Sequence, residues 1–398
     1  MEKKNSSLKD IFISALQNYK KKEFQLAESS CNKILNIDPN HFESIVLLAN
    51  IAALHKDYLN AKKLLKKATE IQPNNLGILN NLGTASKELK EMKDAIFYFN
   101  KTLELDPNNT NAHYNLGLVS YEEKDFKKAK SYFKKTSELQ PNFALPFFAL
   151  GNINAEFKEY DNAIKNFAKA IEINPKLVSA HNNLGLVYRS VNDFKNAIIC
   201  YENAIKIKNN NPGTYHNLAL ALKELGEFEK AIHAHENAIK FEPDNAIHYF
   251  YLSELKKDIL DSGLRKKING IIKEKKSNSR ILAYSHYLLS RYEKKEKNYK
   301  KELVHLIEGH QKFFDSKSRK FNLGIKYCFE DVLQISNGAR IESLSEKKDS
   351  KVKPIFIIGT PRSGSTLVEK IIGSGKLLIP MGEESQVLEN FFTQKVIE

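Results

Sequence analysis

A strand, a loop and a helix start are predicted near the end of the chain, in residues 354–372. Ile355–Ile358 is a short apolar run with three β-branched residues, which is typical of a buried strand. The segment Gly359–Gly364 follows as a tight loop, and Leu367–Ile372 then has the apolar spacing of a helix. This order gathers backbone N–H groups and the positive end of a helix dipole, so it predicts an anion site.

The loop carries side chains that suit an anion other than a nucleotide being hydrolysed. Its glycines have the G-x-x-x-x-G spacing, but Ser365 stands where an ATPase or GTPase loop carries its lysine. Arg362 supplies a fixed positive charge instead. Hydroxyl donors come from Ser363, Ser365 and Thr366.

The segment Pro361–Leu367, P-R-S-G-S-T-L, resembles the 5′-phosphosulfate-binding loop of sulfotransferases. It is most similar to the form in tyrosylprotein sulfotransferases and in bacterial sulfotransferases fused to tetratricopeptide repeats. The resemblance implies 3′-phosphoadenosine 5′-phosphosulfate as the co-substrate, without a metal. The residues implied to bind it are Thr360, Pro361, Arg362, Ser363, Gly364, Ser365, Thr366 and Leu367. The alternative is an incidental glycine turn before a helix.

A pair of carboxylates downstream is the candidate for the catalytic base. Gly382, Glu383 and Glu384 are similar to the G-E-E segment of the tyrosylprotein enzymes, whose second glutamate implies Glu384 as base. The G-E-L form of the bacterial relatives implies Glu383 instead. Such a base takes the proton from an attacking hydroxyl, while Arg362 would hold the sulfate. The structural alternative is that two acids simply suit the first turn of a helix.

A 34-residue repeat dominates the rest of the sequence. Alanine recurs without a slip, proline keeps the same step with one interruption, and a Leu-Gly pair forms a third series. The alanines are Ala27, Ala61, Ala95, Ala129, Ala163, Ala197 and Ala231. A small residue lets two helices cross closely, and proline ends the second helix of each pair. The pattern resembles the tetratricopeptide repeat, with seven units beginning near Leu8, Phe42, Leu76, Thr110, Ala144, Val178 and Pro212.

The fold predicted from these patterns is mainly α. Residues 8–259 are expected to form a right-handed superhelix of about seven units and a capping helix. Residues 260–353 are expected to form a helical connector and a linker, and residues 354–398 the first strand, loop and helix of an α/β sulfotransferase domain. A doubly wound domain needs on the order of 100 residues. The domain is therefore predicted to be truncated and the chain inactive alone.

Asparagines recur at the sixth position of the units. They are Asn81, Asn115, Asn183 and Asn217, with Ala149 interrupting the row. An asparagine donates and accepts at once, so the row is predicted to hold the backbone of an extended protein or peptide partner. The row is similar to the asparagine ladder of O-GlcNAc transferases. The alternative is that asparagine is common in this chain and suits any polar face.

Other residues point away from metal, nucleic-acid and membrane functions. The formal charge is +14, but the lysines are scattered through every unit without a nucleic-acid-binding signature. His113, His181, His233 and His235 lack the spacing of metal ligands, and are interpreted as packing or groove residues. Isolated Cys31, Cys200 and Cys328 favour a reducing compartment. With no predicted membrane span, a cytoplasmic location is expected.

Two functions remain open. The first is transfer of a sulfuryl group from 3′-phosphoadenosine 5′-phosphosulfate to a hydroxyl of a protein tyrosine or glycan, with the repeats presenting the acceptor. The second is a non-catalytic scaffold for protein–protein interaction, in which residues 354–398 are a vestigial or truncated segment.

Overall fold

The computed structural model describes residues 2–274 and 278–325, with side chains from Leu8 onward and up to Ser316. Its first fourteen helices form seven antiparallel hairpins, each of which packs on the next. They are α1 (Glu2–Lys20), α2 (Phe24–Ile37), α3 (Phe42–Leu54), α4 (Tyr58–Ile71), α5 (Leu76–Glu88), α6 (Met92–Leu105), α7 (Thr110–Glu122), α8 (Phe126–Leu139), α9 (Ala144–Glu156), α10 (Tyr160–Ile173), α11 (Val178–Ser190), α12 (Phe194–Ile207), α13 (Pro212–Glu224) and α14 (Phe228–Phe241). The prediction of a helical repeat array is confirmed.

Six of the seven units begin at the residue predicted from the sequence, since α3, α5, α7, α9, α11 and α13 start there. The first unit differs, because α1 begins at Glu2 rather than near Leu8. Residues 2–7 contain neither proline nor glycine, so nothing in that stretch stops a helix. Inside the array, Asn75 and Asn109 cap first helices by accepting from the N–H groups of Ile78 and Ala112.

Further helices follow the seventh hairpin. They are α15 (Ala246–Leu255), a short 3-10 turn (Lys257–Ile259), α16 (Ser262–Lys273), α17 (Ser279–Lys295) and α18 (Tyr299–Ile325). Arg291 on α17 fixes α15: its guanidinium donates to the Phe250 carbonyl at 2.8 Å and to Glu254 at 3.0 Å, and lies 3.7 Å from the Phe250 ring centroid. By the contacts between its residues, the chain divides into two units, residues 1–318 and residues 319–398. The described residues contain no β-strand, and the predicted strand and loop at 354–372 lie outside them.

Glycine and an aromatic ring form one contact inside four of the hairpins. A Cβ atom added to Gly117 would lie 2.6 Å from the Phe133 ring, and one added to Gly83 would lie 2.5 Å from the Phe99 ring. Gly151 with Phe167 and Gly185 with Tyr201 repeat this arrangement. The remaining units carry alanine with a different partner: Ala15 with Cys31, Ala49 with Leu65, and Ala219 with His235. The two positions therefore change together, because the glycine makes room for the larger ring.

The turn inside each hairpin holds one residue in the left-handed region. Lys22, Lys56, Lys90, Lys124, Lys158 and Asn192 have φ between 58° and 65°, and Gly226 takes the same place with φ 78°. A side chain is strained in this conformation, whereas glycine is not. Six of the seven units therefore keep a strained turn, and the seventh shows the relaxed version.

Lys124→Gly is expected to stabilise the protein by about 0.5–1 kcal/mol, because it removes backbone strain that exceeds the entropy glycine adds to the unfolded chain. Lys124 is exposed with φ 63°. The matched control is Gly226→Lys, where nothing lies within 4 Å of the added Cβ, so only the backbone term remains. It should lower the urea midpoint of unfolding while Lys124→Gly raises it. Shifts of equal sign in the two variants would contradict the strain argument.

Candidate functional site

Two open pockets lie between successive hairpins. The first, about 370 Å³, is lined by residues of α1, α3, α4 and α5: Tyr19, Ala49, Asn50, Ala53, Leu54, Tyr58, Ala61, Leu65, Asn81, Thr84, Ala85 and Glu88. The second, about 430 Å³, is lined by residues of α7, α9, α10 and α11: Tyr121, Asn152, Ala155, Glu156, Tyr160, Phe167, Asn183, Leu186, Val187 and Ser190. The first helices of the units supply most of each wall, so these helices define the candidate binding face.

Two of the four predicted asparagines lie in these pockets. The Asn81 side-chain amide donates to Asn50 Oδ1 at 3.3 Å, and the Asn183 amide donates to Asn152 Oδ1 at 2.8 Å. Each bond joins neighbouring units and leaves the Oδ1 of the donating asparagine able to accept. Asn115 and Asn217 are half-buried and line neither of these two pockets. The row of four is therefore divided, and the structure brings two members to the pockets.

Half-buried tyrosines flank both pockets. Tyr121 contacts Phe126 edge to face at 5.5 Å between ring centroids, which fixes the plane of its ring. Burial, with Glu156 as a second cause, raises the pKa of Tyr121, so this phenol stays protonated at neutral pH. Tyr19 makes the corresponding contact with Phe24 at 5.7 Å. Each pocket thus presents a tyrosine whose ring is held by an edge-to-face aromatic contact.

Sequence reasoning missed the tyrosines and the two partner asparagines. A signal was present: in the seven units, tyrosine occupies the position of Tyr19 only again at Tyr121, and that of Tyr58 only again at Tyr160. Asparagine likewise occupies the position of Asn50 only again at Asn152. The recurrence spans three units rather than one, so a comparison of neighbouring units does not reveal it.

The residues predicted to bind a sulfate donor lie outside the described part of the chain. This holds for Thr360–Leu367, including Arg362, and for the two candidate bases, Glu383 and Glu384. Cys328 also lies outside it. Cys31 and Cys200 are buried free thiols, and burial raises the pKa of each to about 11.

The histidines have structural positions. His113 and His181 each place Nε2 2.9 Å from a proline carbonyl, those of Pro107 and Pro175, and so tie a first helix to the preceding turn. His233 is exposed, whereas His235 is fully buried near two further histidines, His216 and His248. Among the described residues no group of histidine, cysteine, aspartate or glutamate has a metal-holding arrangement. No helix in residues 2–274 or 278–325 is long and apolar enough to cross a membrane.

Known proteins match this chain over its repeats. Residues 60–263, just over half of the chain, match the family described as the tetratricopeptide repeat protein 21 C-terminal ARM domain, and residues 42–75 match the tetratricopeptide repeat. An uncharacterized protein of Aquifex aeolicus is 33% identical over 58 residues, which is 15% of this chain and 8% of that protein. The chain thus spans a small part of that relative.

Solved structures are similar to parts of this chain. A tetratricopeptide repeat protein from Parabacteroides merdae is 17% identical with a TM-score of 0.48, covering 63% of this chain and 99% of its own. YrrB, described as a repeat protein with an unusual peptide-binding site, is 20% identical with a TM-score of 0.41, covering 46% and 95%. MamA is 28% identical with a TM-score of 0.40, covering 43% and 93%. On the strength of the family match across residues 60–263, this chain belongs to the tetratricopeptide-repeat family.

Proposed function

We propose that the repeat array is a protein-interaction scaffold that holds an extended segment of a partner polypeptide. The observation that supports this most is the pair of open pockets whose walls come mainly from the first helices of the units. Each contains two asparagines from successive units, joined side chain to side chain. The partner is a protein or peptide rather than a nucleic acid, because the pocket walls contain carboxylates and no lysine or arginine.

Asparagine suits this role because a peptide backbone presents alternating donors and acceptors. The Oδ1 atoms of Asn81 and Asn183 can accept from backbone N–H groups of the partner, and the amides of Asn50 and Asn152 can donate to its carbonyls. Asn115 and Asn217, on α7 and α13, occupy the same position in their own units and would extend the contact. Such bonds recognise the backbone, so they hold many sequences weakly.

Alanine at Asn81, Asn115, Asn183 and Asn217 together is expected to abolish binding of peptides selected against the wild-type chain from a random library. Each lost bond costs about 1 kcal/mol, so four reduce the affinity by roughly three orders of magnitude. Fluorescence polarisation with the full chain measures this. The control is alanine at Asn162, Asn166, Asn196 and Asn237, asparagines of the second helices, and that variant should bind normally. Unchanged affinity in the first variant would remove the proposal.

A second candidate function is sulfuryl transfer, which the Pro361–Leu367 sequence supports. The hydroxyl oxygen of an acceptor would attack the sulfur of 3′-phosphoadenosine 5′-phosphosulfate, Glu384 or Glu383 would take the proton, and 3′-phosphoadenosine 5′-phosphate would leave. Arg362 and the loop hydroxyls would hold the donor.

Calorimetric titration of that donor nucleotide into the full chain tests the second candidate. Binding that is lost in Arg362→Ala, but kept in Lys351→Ala just before the predicted strand, would support it. Equal heats from all three proteins would contradict it, and that result would leave the scaffold function unaffected, because the two functions use different residues.

A further inference from the structure

The two pockets are copies of each other, three units apart along the chain. Each residue that lines the second pocket has a counterpart in the lining of the first pocket, at the same position of the unit three units earlier. Identical residues form the pairs Tyr19 and Tyr121, Asn50 and Asn152, Ala53 and Ala155, Tyr58 and Tyr160, and Asn81 and Asn183. The rings behind the first tyrosine also correspond, because Phe24 contacts His55 at 5.6 Å and Phe126 contacts Phe157 at 5.4 Å.

The same combination of residues does not occur at any other set of three successive units. At the position of Asn50 and Asn152, the third, fourth and sixth units carry Thr84, Leu118 and Leu186. At the position of Tyr19 and Tyr121, the third and sixth units carry Lys87 and Arg189. A basic residue there places positive charge where the pockets have a phenol. The array therefore has two matched pockets, rather than one uniform groove.

Charge identifies the kind of group that each pocket accepts. The chain carries a formal charge of +14, yet neither pocket is lined by a lysine or arginine, and each is lined by one glutamate. The first has Glu88, whose carboxylate lies 3.0 Å from Lys87 Nζ, and the second has Glu156. The two glutamates approach their pockets from different helices, because Ser190 stands where Glu88 does and Leu54 where Glu156 does. An acidic ligand group would meet a carboxylate in each wall, that of Glu88 paired with Lys87 and that of Glu156 without a lysine or arginine in the pocket lining. A cation would meet tyrosine rings, carboxamide oxygens and that carboxylate, all of which attract it.

We propose that each pocket receives a lysine or arginine side chain of one bound polypeptide, so that the partner presents two equivalent basic residues to the array. This deepens, and rests on, the proposed scaffold function. The asparagine pair holds the backbone of the partner, while the tyrosine rings and the glutamate hold the basic side chain. Binding at two matched pockets makes the second contact intramolecular, and this raises affinity without any new kind of contact.

The test uses the full chain and synthetic peptides of defined sequence. One peptide carries a single serine–lysine–serine segment, and a second carries two such segments joined by glycine–serine linkers of increasing length. By isothermal titration calorimetry the two-segment peptide should bind with one peptide per chain. It should bind about 100-fold more tightly than the one-segment peptide at the best linker length. Replacing both lysines by glutamine or glutamate should weaken binding to the wild-type protein and remove the gain from linking, since only the backbone contacts of the asparagines remain.

Pocket variants locate the contacts. Asn50→Leu and Asn152→Leu each introduce the residue that Leu118 and Leu186 already provide at that position. Either variant should reduce the affinity of the two-segment peptide to that of the one-segment peptide, and the double variant should abolish binding. Thr69→Leu on α4, outside both pockets, is the control and should leave affinity unchanged.

Two peptides per chain with no gain from linking, or equal binding of the glutamate peptide, would overturn this proposal. Both results come from wild-type protein, so they do not depend on the folding of a variant. If the lysine peptides fail while library-selected peptides still require Asn81 and Asn183, the proposal is wrong and the scaffold function stands. If the selected peptides are also insensitive to those asparagines, the scaffold function fails with it.

Discussion

Gly117→Ala is expected to destabilise the protein by about 1–3 kcal/mol, which is the usual result of forcing an extra carbon into a packed core. The added Cβ would lie 2.6 Å from Phe133 Cε1, and this ring is fully buried. The ring has little space to move aside, because it packs in one buried cluster with Leu150 and Ile153 of the next hairpin. Urea unfolding of the full chain measures the change.

The second unit provides the rescue for that substitution. It carries Ala49 and Leu65 where the fourth unit carries Gly117 and Phe133. Phe133→Leu alone should cost about 1–3 kcal/mol through the space left by the ring. Combined with Gly117→Ala it should cost clearly less than the two single changes together, with a coupling of about 1–2 kcal/mol. Strict additivity would show that the two positions do not share one space.

Acid is expected to unfold the end of the array, because buried histidines must gain protons. Burial, followed by repulsion from His235, His248, Arg189 and Arg280, lowers the pKa of His216 to about 3. Burial, followed by His248 and Lys223, lowers the pKa of His235 to about 3. The unfolded values lie near 6.5, so the unfolded chain binds more protons below that pH. Stability is therefore lost as the pH falls from about 6.5 towards 3.

The loss should be about 1.4 kcal/mol per pH unit for each histidine, or roughly 4 kcal/mol for the pair at pH 5. His248 adds to it in the same direction, since burial lowers its pKa although Glu242, 3.1 Å away, opposes this. Because repeat units contact mainly their neighbours, unfolding should begin in α13–α15. Hydrogen exchange followed by mass spectrometry at pH 7 and pH 5 locates it.

Matched variants follow from other units of the array. His216→Asn installs the residue of Asn80 and Asn182, and His235→Phe with Ala219→Gly installs the glycine–phenylalanine pair of Gly117 and Phe133. Both should flatten the fall in stability below pH 6.5, while stability at pH 7.5 changes little. An unchanged pH profile would mean that groups elsewhere in the chain cause the acid unfolding.

The repeat could be predicted from the sequence because the residues that define it act locally and through steric contacts. A proline after all but one of the second helices and an alanine at each crossing fix where helices stop and how closely they pack. The starts of α3 to α13 therefore follow from spacing. The start of α1 did not follow, because residues 2–7 carry no signal that stops a helix. The extent of α1 depends on the absence of a residue that stops a helix, and not on the presence of a start signal.

The candidate site was only partly readable. Asn81 and Asn183 were found because they recur at one unit position. Their partners Asn50 and Asn152 come from a different position of the preceding unit. That pairing depends on how neighbouring hairpins are rotated, which spacing along the chain does not specify. The charge of the pockets could not be predicted for the same reason, since lysines are frequent in the sequence but none lines either pocket.

Site-specific photo-crosslinking tests the scaffold account most directly, using two exposed leucines of the second unit. Leu54 lines the first pocket, whereas Leu59 does not, and both are largely accessible at 55% and 70%. A photoreactive leucine analogue at position 54 of the full chain is expected to crosslink to a library-selected peptide, and the same analogue at position 59 is not. Crosslinking from position 59 alone, or equally from both, would contradict binding at the pockets.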